Sequence, residues 1–393
     1  MATSAESIRA YSGPPLFSFG FRPFFLFAAA WAALAVPIWV TSMTLGDGTI
    51  GGMDGRLWHI HEMLFGYLAG VIAGFLLTAV PNWTGRLPVT GGWLAGLFFL
   101  WLAGRAAGFL PASMAAPAGV VDSAFLVVFA GLIWREVLAA KNRRNLPVCL
   151  LVTLLAAANI AFHLRGVWPV FGPGAERGAV AVITALIALI GGRVTPSFTQ
   201  NWTRARGLAQ GPTAFNRFDA AVLVLTALAL AFWVAAPYAA VSGGLMVAAG
   251  LANLVRLARW RGWLVRSEPL LWVLHLGYAW IGIGLLLLGL AALVPAAVPF
   301  TAGIHALTAG AMGVETLAMM TRATRGHTGR ARVADRSTTA IYVLILAAAV
   351  VRVCAPFHAE WSTALLAASA TLWALAFAGF VAVYGPMLLR RPI

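Results

Sequence analysis

The sequence predicts an all-α fold, a polytopic transmembrane helix bundle, on three observations. Of the 393 residues, 61% are hydrophobic and 10% charged, with a mean hydropathy of +0.87. That leaves too little polar surface for a water-soluble globule of this size. The apolar residues fall into about twelve runs, most of them close to the roughly 20 helical residues that cross a hydrocarbon core. The arginines lie between those runs, in short loops. A net charge of +15 would point to nucleic acid in a soluble protein. Here it orients helices, so a nucleic-acid partner is excluded and membrane lipid is the expected surrounding.

The elements follow in order. Residues 1–21 form a lead-in, polar and then rich in glycine and proline, whose FSFGFRPFF stretch holds aromatic rings and Arg22 at the headgroups. The first helix covers 22–43, too long for the apolar core of a signal peptide. A loop with Asp47 and Asp54 leads to the second at 57–80, and the loop around Arg86 leads to the third at 91–110. The fourth covers 117–138. A basic loop with Arg135, Lys141, Arg143 and Arg144 follows, then helices at 146–166 and 175–195. A longer loop with Arg193, Arg204, Arg206 and Arg217 precedes the seventh at 218–236, which turns at Pro237 into the eighth at 239–258. Beyond Arg259, Arg261 and Arg266 come helices at 269–294, 300–321, 337–355 and 361–389. Together they make a single twelve-helix domain, 22–389, with a tail at 390–393.

Loops after the even-numbered helices carry most of the arginine and lysine, which puts both termini in the cytoplasm. On that topology His59, His61, His163, His305 and His358 lie at the outer face, and His275 and His327 on the inner side. Cys149 and Cys354 fall on opposite faces, too far apart for a disulfide.

The densest group of potential ligands opens the second helix, in WHIHEMLFGYLAGVIAGFLLTAVPNWTGR, Trp58 to Arg86. In a straight α-helix from Leu57, His59 and His61 point about 200° apart, while His59 shares a face with Glu62. One ion cannot easily take both histidines, so they serve two sites, or one ligates and the other supports. An interfacial belt of amphipathic rings would account for a lone histidine, but less well for HxHE.

Weak internal similarity accompanies this motif. Asn82-Trp83-Thr84 recurs as Asn201-Trp202-Thr203, and His61 and His305 are each followed five residues later by a glycine, Gly66 and Gly310. A spacing of four helices hints at three four-helix pseudo-repeats.

The blocks HxHEMLFGY, GFLLTAVPNWTG, GRVTPSFTQNWTR and HALTAGAMGVETLAMMTRATRGHTGR resemble the NnrS family along nearly the whole chain. That family comprises polytopic bacterial inner-membrane proteins associated with the nitric oxide response and described as containing haem and copper. The resemblance implies haem b, since no CxxCH is present for covalent attachment, and copper, with His59, His61, His305 and Glu62 as motif residues. His61 and His305 sit at matched depth, ~6–8 Å below the outer boundary at 1.5 Å per residue, and are expected as haem ligands. Arg56, Arg105 and Arg165 would face the propionates. His59 and Glu62 would form a second site with His163 as cross-helix partner and copper as occupant. Haem-copper oxidase subunit I offers a fold-level analogy, twelve helices in a threefold pseudo-repeat, but the sixth and seventh helices here lack histidine.

The function so implied is binding or turnover of nitric oxide near the outer membrane face, with an oxidoreductase activity left open. The alternatives are a permease exporting a small anion or metal complex, and a non-catalytic sensor or assembly protein. In the inner half, His275 and Glu315 lie at similar depth on consecutive helices. They make either a hydrogen-bonded clip or a proton-uptake step.

Overall fold

The computed structural model describes residues 11–391. Twelve helices form, in the expected order: α1 Phe21–Leu45, α2 Gly55–Thr84, α3 Gly91–Ala107, α4 Ala115–Ala139, α5 Leu146–Leu164, α6 Gly172–Ala205, α7 Arg217–Ala235, α8 Ala240–Ala258, α9 Pro269–Leu293, α10 at 300–327, α11 Arg336–Cys354 and α12 Ser362–Leu389. Among the described residues ten helical segments are long and apolar enough to cross a membrane, so this is a multi-pass membrane protein.

The ends of the helices follow local chemistry. Asp54 caps α2 by accepting from the Leu57 N–H at 3.1 Å, and Asp335 caps α11 at the Thr338 N–H, 2.8 Å. Asn216 and Asp219 form a reciprocal capping box on α7. Before α2 the chain makes a small antiparallel hairpin, β1 Thr49–Ile50 with β2 Met53–Asp54, whose turn uses Gly51 at φ 63°. Two helices run furthest past their predicted ends. The apolar run of α6 stops near residue 195, yet the helix runs on past Pro196, and the left-handed turn that ends it comes only at Gly207, φ 67°. The helix therefore continues through its polar residues, with Arg206 over the Trp202 ring at 3.9 Å. Likewise α10 reaches His327 and ends before Gly329, φ 81°.

Contacts divide the chain into two compact units. The first takes in the described part of Met1–Ala179, Ala323–Ala331 and the described part of Phe377–Ile393; the second takes in Val180–Arg322 and Arg332–Ala376. The first is cored by aromatic rings: Phe24 lies 6.0 Å from Phe98, 6.3 Å from Trp101 and 5.8 Å from Phe125. The second brings backbones together through small residues. A Cβ on Gly250 of α8 would stand 2.8 Å from the Gly282 carbonyl oxygen of α9, and one on Gly243 3.0 Å from that of Gly289. Both cysteines are free, Cys149 buried and Cys354 exposed.

Candidate metal centre

Five helices of the first unit converge on one buried polar cluster. The helix α2 is regular only as far as His61; from Glu62 to Leu68 it widens into a π-helical stretch before resuming at Ala69. Single π turns inside α-helices are frequent at functional sites, because the extra residue redirects side chains that regular geometry would separate. Gly66 sits in the widened turn. A Cβ there would lie 2.4 Å from Arg105 Nη1 and 2.8 Å from Glu62 Oε2, and the Trp101 indole donates to the Gly66 carbonyl at 2.9 Å.

His61 is the hub. Its Nδ1 lies 2.9 Å from Glu62 Oε1, and its Nε2 lies 3.0 Å from Asp122 Oδ2 and 3.2 Å from Asn159 Oδ1. Asp122 Oδ2 also receives the Asn159 amide at 2.8 Å and faces His163 Nε2 at 3.0 Å. Arg105 bridges the two acids, one nitrogen donating to Glu62 Oε2 and the other to Asp122 Oδ1. Trp31 donates its indole N–H to Glu62 Oε2 at 2.8 Å. His61, Glu62, Arg105, Asp122 and Asn159 are all at most 3% exposed.

Charge accounts for the composition of the cluster. Two buried carboxylates face one guanidinium, and both nitrogens of His61 face acceptors, which suits a ring carrying both protons. With that ring charged, Glu62, Asp122, Arg105 and His61 sum to zero. Burying ions in an apolar bundle is tolerable only in such a compensated, hydrogen-bonded set.

The same atoms suit a small transition-metal ion. His61, Asp122 and His163 each offer one ligand atom, all within 4.8 Å of one another. The two 3.0 Å contacts to Asp122 Oδ2 are close to the ~3.3 Å between ligands of a tetrahedral ion at about 2.0 Å. Two imidazoles and a carboxylate are donors that copper accepts. A porphyrin does not fit at His61, whose nitrogens are both engaged inside the cluster. Its ring is walled by those of Phe162 and His163, both at 4.9 Å, and Phe65 at 5.4 Å.

Comparison with protein families adds an independent finding: residues 15–391 match the family model described as NnrS protein. The chain belongs to the NnrS family. Membership supports a membrane protein of the nitric oxide response. Comparison with curated proteins and with solved structures gives no match.

The NnrS motif residues part company in the structure. Glu62 joins His61 and His163, not His59, which instead stacks on Trp39 with centroids 4.0 Å apart and planes at 20°. The expected grouping of His59 with Glu62 rests on helical phase. The turn between them is still regular, with the Glu62 N–H bonded to the Trp58 carbonyl, and the Glu62 side chain reaches to His61, Trp31 and Arg105 instead. Arg105 is no surface cation awaiting propionates, since Glu62 and Asp122 hold it. Arg165 lies 3.3 Å from the Phe162 ring centroid and pairs with Glu176 at 3.3 Å, while Arg56 is exposed.

In the second unit, His305 directly precedes another π stretch, Ala306–Met312. The shared His-to-Gly spacing thus marks a shared local structure, with Gly310 packed where a Cβ would meet Trp280 at 2.6 Å. His305 Nδ1 lies 2.7 Å from the Thr301 carbonyl oxygen, which fixes its proton there. His275 and Glu315 do not form the expected clip. His275 Nε2 lies 2.9 Å from Thr199 Oγ1, whereas Glu315 packs against Gly277. Two residues apart on α9, positions 275 and 277 face about 200° apart, so depth matched and direction did not.

Asp122, Asn159 and Trp31 escaped the reading of motifs. A signal for Asp122 was present: an acid inside an apolar helix is costly enough to demand a partner. Asn159 and Trp31 are ordinary in composition, and only packing reveals them.

Proposed function

We propose that this protein handles nitric oxide at a metal ion held by His61, Asp122 and His163, in the bacterial inner membrane with both termini cytoplasmic. The observation that carries the reading is the meeting of two imidazoles and a carboxylate in one buried, charge-balanced cluster. Copper is the ion implied by family resemblance, and the donor set suits it. Bound there, copper would supply one-electron exchange and a coordination position for a small ligand.

The remaining residues prepare that position. Arg105 fixes both carboxylates, so Asp122 Oδ2 stays aimed between the histidines. His61 must shed the Nε2 proton to ligate, and Glu62 on Nδ1 holds the ring in the orientation needed. Phe65 and Phe162 keep the surroundings apolar, which suits a small uncharged gas that partitions into lipid. The side chain of His163, 18% exposed, is the most accessible of the three ligands. The haem implied by the same resemblance is assigned to His305, whose Nδ1 contact leaves Nε2 in the ligating tautomer.

Protection of a bacterium lacking its own NnrS protein tests the reading. Under a nitric oxide donor, the wild-type chain should restore growth and His163→Ala, at equal membrane abundance, should not. Equal protection by the variant would overturn it.

A further inference from the structure

The second unit buries a carboxyl group that the metal centre does not use. Glu315 on α10 is 4% exposed, and its Oε1 has no hydrogen-bond partner among the described residues. Two missing side chains make its space. A Cβ on Gly277 would stand 2.9 Å from Glu315 Cγ and 3.1 Å from Oε1, and one on Gly191 of α6 would stand 3.9 Å from Oε1.

The arginine and tyrosine nearby, Arg256 and Tyr278, are already engaged. Arg256 on α8 donates to Asp219 at 3.1 Å, to the Ala188 carbonyl at 3.1 Å and to the Tyr278 hydroxyl at 2.7 Å. Tyr278 in turn donates to Asn253 Oδ1 at 2.8 Å. An ionised, unpaired carboxylate in this setting is costly, so Glu315 needs a proton whenever its surroundings are closed.

Groups able to relay that proton line up by spacing on one face of α6. Gly191, Thr195 and Thr199 recur every four residues, ~6 Å apart along the helix. Thr195 Oγ1 is buried without a partner. Thr199 Oγ1 donates to the Thr195 carbonyl at 2.9 Å and accepts from His275 Nε2 at 2.9 Å. That leaves His275 Nδ1 as a buried, unpartnered acceptor, 2.7 Å from where a Cβ on Gly262 would be. Gly262 opens the short turn Gly262–Val265, flanked by Arg261 and Arg266 at one end of the unit. Orphaned groups in such a file are the partners that bridging waters need.

We propose that Glu315 is a proton-exchange site, loaded from the arginine-bearing end of this unit through His275, Thr199 and Thr195. The event is simple association: a proton arriving at His275 passes along the hydroxyls and converts the carboxylate of Glu315 to the acid, without electron transfer. It is independent of the metal centre.

Infrared titration of the full-length protein in liposomes, in light and heavy water, tests this. The expected result is a carboxylic-acid C=O band that vanishes at alkaline pH, shifts in heavy water and is missing from Glu315→Gln. His275→Ala and Thr199→Val should slow its deuterium exchange at least tenfold. A spectrum unchanged in Glu315→Gln, a band present at every pH, or exchange as fast in both route variants would overturn the proposal. Should Glu315→Gln fail to fold, carbodiimide labelling of the wild type decides. Modification of Glu315 that declines as pH rises supports the site, and absent or pH-independent modification overturns it.

Discussion

His61 and Asp122 stand 61 positions apart in the chain and meet at 3.0 Å, with both side chains at most 4% exposed. Their contact joins the motif helix α2 to α4 and turns a pair of adjacent residues, His61 and Glu62, into a cluster spanning five helices.

Asp122 is the residue on which that cluster closes. Asp122→Ala leaves the Arg105 guanidinium and the His61 ring short of their shared counter-charge. Removing one partner of a buried ion pair costs about 3–5 kcal/mol. Denaturation of the detergent-solubilised protein should show a loss of that order, and a loss under about 1 kcal/mol, typical of exposed pairs, would contradict the charge accounting.

Gly66→Ala probes the π turn. Its new methyl would stand 2.4 Å from Arg105 Nη1, so the arginine must give way and Asp122 lose its anchor. Metal occupancy should fall in this variant and stay at the wild-type level in Gly96→Ala, where nothing lies within 4 Å of a built Cβ.

His59→Ala should keep the metal. The ring stacks on Trp39, outside the cluster, so its removal costs packing and leaves the ligand atoms in place. Elemental analysis showing depletion as deep as in His61→Ala would restore His59 to the site.

The twelve helices were legible because crossing a bilayer imposes length and composition, and charge in the loops marks their limits. His61, Glu62 and His163 stand out in the sequence too, but their meeting in one cluster does not. Extrapolating helical phase puts Glu62 with His59, whereas the reach of its side chain, which phase does not give, takes it to His61, Trp31 and Arg105. The same extrapolation from depth to contact paired His275 with Glu315, which face different sides of α9. Asp122 shows the converse: its partners come from three other helices, and no spacing in the chain announces them.

Metal uptake should release a proton. Both His61 nitrogens face acceptors, so ligation through Nε2 displaces the hydrogen that otherwise points at Asp122 and Asn159. Calorimetry of copper binding in buffers of different ionisation enthalpy should return about one proton released per ion. In His61→Ala the release should vanish.

Metal content of the purified protein bears most directly on the His61–Asp122–His163 centre. Elemental analysis of the wild type should find one transition-metal ion in addition to any haem iron, reduced to background in His61→Ala, Asp122→Asn and His163→Ala alike, each compared at equal helicity. A wild-type protein without that ion after reconstitution with copper, or full occupancy in the Asp122 and His163 variants, would contradict the assignment.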